Sequence, residues 1–91
     1  MDTHILIKQG WTIASDQTSA HKTFRFTNFA SAVGWMASLV EQIDTLNHHP
    51  EWHNVYNRVD VRLTTHDAGT LTDLDERLAN LLDQSFELRP R

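Results

Sequence analysis

Cysteine is absent from the 91 residues, proline occurs twice and glycine three times. Without cysteine there is neither a disulfide framework nor a thiolate metal site to reinforce a small core. The three glycines are scattered, so no glycine-rich loop can cradle a phosphate. No apolar run approaches the length needed to cross a bilayer. The opening "MDTHILIKQG" lacks the basic stretch and long apolar segment of a secretory signal. Net charge is −4 with neutral histidines, and Lys and Arg never cluster. A direct electrostatic grip on nucleic acid is therefore not expected. The reading is a cytoplasmic, non-membrane chain forming one domain over residues 1–91. At this size it buries only about 60–65 % of the surface exposed by the unfolded chain, so self-association is an expected source of further stability.

Repeats, low-complexity tracts and linkers are also missing. What is present is a patterned series of short elements. "GWTIA" and "HKTFRFT" predict two strands joined by "SDQTS", with Phe24 and Phe26 on a buried face and Thr23, Arg25 and Thr27 on a wet one. "NFASAVGWMASLVEQIDTLN" predicts one helix capped by Asn28, with Phe29, Val33, Met36, Val40 and Ile43 as its apolar stripe. Pro50 disfavours helix at His49, so this helix should stop near His48. "WHNVYNRVDVRLTTH" holds two more strands around a "YNR" turn, with Val55, Val59, Val61 and Leu63 facing inward. After the "DAGT" loop a last helix spans about Leu71 to Phe86, with Leu71, Leu74, Leu78, Leu81 and Ser85 on its inner side. Thr72 and Asp75 resemble a capping box with Asp in place of Glu. Strand-strand-helix-strand-strand-helix implies an α+β two-layer sandwich: a four-stranded antiparallel sheet with helices on one face.

The chemistry-bearing residues gather around "NHHPEWH". Asp44 and His48 stand four apart, which on a helix puts a carboxylate beside an imidazole. Such a pair can orient a histidine for acid or base work, or be an ordinary surface pair near a helix end. His49 precedes Pro50 and leaves the helical path, so both histidines can enter one pocket from different sides. Trp52 and Tyr56 offer a flat wall for a planar ligand, or simply core packing. His66 ends the fourth strand on the polar parity of Asp60, Arg62 and Thr64, beside a glycine-containing loop. His53 faces solvent as a bystander. Zinc held by His48, His49, His53 and His66 is the rival chemistry. It is disfavoured because Pro50 interrupts the only four-apart histidine pair. The residues thus point to a metal-free histidine acid/base pocket and name no substrate.

The run "DTLNHHPEWHNVYNRVDVRLTTHDAGTLTDLD" resembles the signature of the pterin-4a-carbinolamine dehydratases: an acid, three residues, His-His-Pro, an aromatic, Thr-His, then a helix-borne Asp. With "GW" and "FRFTNF" upstream, the likeness spans about Gly10 to Gln84. It implies a substrate hydroxylated at C4a of a tetrahydropterin, loss of that hydroxyl as water, loss of the N5 proton, and no cofactor. By this resemblance His48 and His66 are the acid/base pair. His49, Trp52 and Pro50 hold and shape the pterin site, and Asp44 and Asp75 support it. The resemblance also implies dimers paired sheet edge to sheet edge, tetramers joined through helices, and an alternative life as a non-catalytic coactivator or assembly protein. Three departures stand out: no room for the family's extra helix ahead of "GW", Asp44 where Glu is common, and Asn47 where some members carry Asp.

Overall fold

The computed structural model describes residues 1–89. Its elements are α1 (His4–Lys8), β1 (Thr12–Ile13), β2 (Ala20–Arg25), α2 (Phe29–Ser38), α3 (Val40–Leu46), β3 (Glu51–Val55), β4 (Arg58–Leu63) and α4 (Asp73–Leu88). The four strands form one antiparallel sheet in the order β1-β2-β4-β3. Ala20, Phe24, Val59, Val61 and Leu63 are buried on one face, and the helices cover it. His21, Thr23 and Arg25 lie on the other face, which stays open. The expected α+β sandwich is what the chain forms.

Register follows the alternation of side chains. Phe24 pairs with Val59 and Ala20 with Leu63, so a slip by one residue would turn every apolar side chain outward. Phe24 is the hub of the core. Its ring lies 4.8 Å from Trp35, 5.1 Å from Phe86 and 6.0 Å from Trp11, between centroids. Tilted and edge-on pairs of this kind contribute about 0.5–1.5 kcal/mol each beyond the burial of their area.

Six expectations need correction. The long helix is two helices, because the chain tightens at Leu39. Leu39 N–H bonds to the Met36 carbonyl, and the Ser38 hydroxyl donates to the Trp35 carbonyl at 2.7 Å. A side chain competing for a carbonyl is a common origin of such a bend. The buried stripe is Ala32, Trp35, Leu39 and Ile43, whereas Phe29, Val33 and Val40 are exposed. This segment is apolar around most of its circumference, so a 3.6-residue period fits either stripe; the larger Trp35 and Leu39 go inside.

The inner side of α4 is Asp75, Leu78, Ala79 and Leu82, not Leu74 and Ser85. Val55 is exposed, because it borders the hairpin turn. Tyr56 occupies that turn at φ 50° and is 64 % exposed, so it walls no pocket. Finally, a short helix does precede "GW". Asp2 accepts the His4 N–H at 2.9 Å, and Leu6 is fully buried in the core.

Candidate active site

The site begins where α3 ends. Asn47 adopts the left-handed conformation (φ 56°, ψ 37°), and its N–H bonds to the carbonyls of Ile43 and Asp44. Asparagine tolerates this region better than other residues with a Cβ. The helix therefore stops at Leu46, two residues after Asp44, and the chain reverses before His48. That reversal parts the two histidines. His48 turns inward to 11 % side-chain exposure, while His49 stays out at 58 %.

Each imidazole then has its own carboxylate. His48 Nε2 lies 2.6 Å from Asp75 Oδ1, and His49 Nε2 lies 2.9 Å from Asp44 Oδ1. The expected Asp44–His48 pair is thus corrected: i,i+4 geometry needs a helix that reaches residue 48, and this one ends at Leu46. The residue that supports His48 comes from the far helix.

Asp75 is fully buried. It is the third residue of α4 and closes a capping box with Thr72, as the sequence suggested. Its Oδ2 accepts the Thr72 N–H at 2.9 Å and the Thr65 hydroxyl at 2.7 Å. A carboxylate accepts and does not donate, so its remaining oxygen takes the N–H of His48 Nε2. This leaves Nδ1 as the ring nitrogen available for proton transfer. A buried carboxylate holding an imidazole by one nitrogen and freeing the other is a standard acid/base arrangement.

His66 follows Thr65, which opens a tight turn. Thr65 N–H bonds to the Thr70 carbonyl, and the Thr65 carbonyl accepts from Ala68 and Gly69. Gly69 sits at φ 65°, where a Cβ would be strained. His66 is exposed, with Nε2 3.4 Å from Glu51 Oε2, the oxygen that also accepts from Arg62 at 2.5 Å. Glu51 and Thr65 were not among the residues singled out by sequence. Position beside His-His-Pro was the only signal for Glu51, and Thr65, on the inward parity of Val61 and Leu63, carried no sign of its polar partners.

Trp52 is half-buried and packs on the core, its ring 6.3 Å from Trp35, and Pro50 is half-buried ahead of it. His53 is exposed opposite Asp60 on the open sheet face. On that face the Thr23 hydroxyl holds the Asp60 carboxyl below its ordinary range; partial burial opposes this and the Arg58 guanidinium assists it. Among the described residues no three His, Asp or Glu side chains converge as metal ligands. No helix among them is long and apolar enough to cross a membrane.

Known proteins carry the same framework. A structure of a transcriptional coactivator/pterin dehydratase from Brucella melitensis superposes with a TM-score of 0.81 at 32 % identity, covering 93 % of this chain and 96 % of that one. A pterin dehydratase-like protein identified as a RuBisCO assembly factor shares the fold at a TM-score of 0.71 and 16 % identity, covering 84 % and 88 % of the two chains. Relatives from Rhizobium rhizogenes and Sinorhizobium fredii, provisionally named pterin-4-alpha-carbinolamine dehydratases, are 51 % and 53 % identical. They match over 88 % and 85 % of this chain and 79 % and 73 % of their own lengths. The family model described as pterin 4 alpha carbinolamine dehydratase matches residues 1–85. With that model matching most of the chain and relatives above 50 % identical, the chain belongs to the pterin 4 alpha carbinolamine dehydratase family.

Proposed function

We propose that the protein removes water from a 4a-hydroxytetrahydropterin. The observation that carries this reading is the buried Asp75–His48 pair, set within the family's His-His-Pro and Thr-His segments. One of His48 and His66 donates a proton to the C4a hydroxyl, which leaves as water. The other accepts the N5 proton, and the product is the quinonoid dihydropterin. Both half-steps are proton transfers, so neither a metal nor a covalent intermediate is needed to balance them. In this reading His49, held by Asp44, binds the pterin, and Trp52 and Pro50 shape the site.

The test is dehydration of a synthetic 4a-hydroxytetrahydropterin by wild type, His48→Ala and His66→Ala. Each substitution is expected to lower kcat by about 10²–10⁴-fold. Wild type no faster than buffer, or two fully active variants, sinks the proposal.

A second reading, an interaction protein of the same fold, is favoured by the exposed apolar residues Phe29, Val33 and Val40 on one side of α2 and α3. Under either reading we propose a homodimer or homotetramer. The β3 edge leaves Glu51–Val55 open to strand pairing, and the α2 stripe offers a helical contact. Light scattering on the purified chain checks this, and a monomer at all concentrations contradicts it.

A further inference from the structure

Between the two halves of the site runs a short chain of hydroxyls that the acid/base scheme leaves unused. Leu74 N–H donates to Thr72 Oγ1 at 3.3 Å, Thr72 Oγ1 lies 2.7 Å from Thr65 Oγ1, and Thr65 Oγ1 lies 2.7 Å from Asp75 Oδ2. Each hydroxyl has one proton to give. At one end the amide can only donate, and at the other the carboxylate accepts. The direction of every link is thereby fixed: Leu74 to Thr72, Thr72 to Thr65, Thr65 to Asp75. All protons point toward Asp75, so its second oxygen is left to receive one from His48 Nε2.

We propose that Thr65 is a positioning residue for the acid/base site, whose hydroxyl locks His48 in the Nε2–H tautomer. The same residue acts on His66 through its main chain. Its amide bonds to Thr70, and its carbonyl closes the turn on Ala68 and Gly69, so His66 begins from a fixed point. One threonine thus ties together two imidazoles borne on different segments. Valine has the same shape without the hydroxyl. It would leave the turn intact and one Asp75 lone pair unserved, with the Thr72 amide as the one remaining donor to Oδ2.

This role in catalysis rests on the proposed dehydratase reading, but the tautomer is readable without it. Long-range ¹H–¹⁵N spectra of the full chain report which nitrogen of His48 carries the proton, before any assay. The wild type is expected to show a single Nε2–H form. Thr65→Val is expected to show a mixed population, with kcat lower by roughly three- to tenfold, the worth of one hydrogen bond, and KM within about twofold. Thr65→Ser restores both. Thr65→Ala serves in the same way if the valine variant does not fold. An Nδ1–H tautomer in wild type, or an undisturbed single tautomer in both hydroxyl-free variants, overturns the proposal. A locked tautomer in a wild type without dehydratase activity would uphold the lock and reject the reaction.

Discussion

Asp75 and Asp83 lie on one helix, about two turns apart, and both spend both oxygens on hydrogen bonds. Asp83 Oδ1 takes the Lys22 ammonium at 2.7 Å, and Oδ2 takes the Trp11 indole N–H at 2.9 Å. Lys22 also reaches the Gln9 carbonyl at 2.6 Å and covers the rings of Trp11 and Phe24. That cluster bolts α4 to β2 and to the N-terminal segment. Asp75 is equally committed, but one of its donors is an imidazole with a second nitrogen to spare. The difference between a structural clamp and a site is therefore in the partner, not in the carboxylate.

Substitutions can break that contrast. The largest effect is expected from Asp75→Asn, which keeps the shape and removes the charge that receives Nε2–H. Turnover of the 4a-hydroxytetrahydropterin should fall by about 10²–10³-fold. Full activity would show that Asp75 is a cap and nothing more. Asp83→Asn should do the reverse: turnover within about twofold of wild type, but a loss of about 1–3 kcal/mol in urea denaturation, since one of the two donors, Lys22 or Trp11, then faces an NH2 group and the charge opposite Lys22 is gone. If Asp83→Asn proved more harmful to turnover than to stability, the contrast would collapse.

Two aspartates outside the core mark the lower end of the scale. Asp44→Ala removes a pair that is 58 % and 69 % exposed, so stability should change by less than about 1 kcal/mol and KM by no more than a few-fold. A loss in kcat as large as that of Asp75→Asn would return Asp44 to the role of orienting His48. Smallest of all is Thr23→Val. The Asp60 carboxyl is held below its ordinary range in the folded chain, so its contribution to stability is present above that range. It is lost as pH falls through the folded value. Urea midpoints of wild type and variant should therefore differ slightly at neutral pH and converge in acid below about pH 4. A gap that widens in acid contradicts this.

The sheet was legible in the sequence because burial on one face imposes a strict alternation, and Phe24, Val59, Val61 and Leu63 obey it. The Thr72–Asp75 capping box was legible because it needs only local spacing. Asp44 was paired with the wrong histidine because the decision rests on one backbone angle at Asn47, which spacing does not encode. The inner stripe of α2 was misplaced because several of its faces are apolar, and only the arrival of Phe24 and Phe86 selects Trp35. Thr65 and Glu51 stayed hidden because their partners come from other elements. Sequence identified the imidazoles; the tertiary fold assigned their carboxylates.

The capping box has a kinetic corollary. Asp75 ties off the first turn of α4 and grips His48 with the same side chain, so fraying of that helix end also dismantles the site. Helix ends open more often than the rest of a folded chain, on a scale that amide exchange detects. The Thr72 amide, bonded to Asp75 Oδ2, should therefore exchange with deuterated solvent at the frequency with which His48 is released. Under the proposed dehydratase reading, bound pterin should slow it.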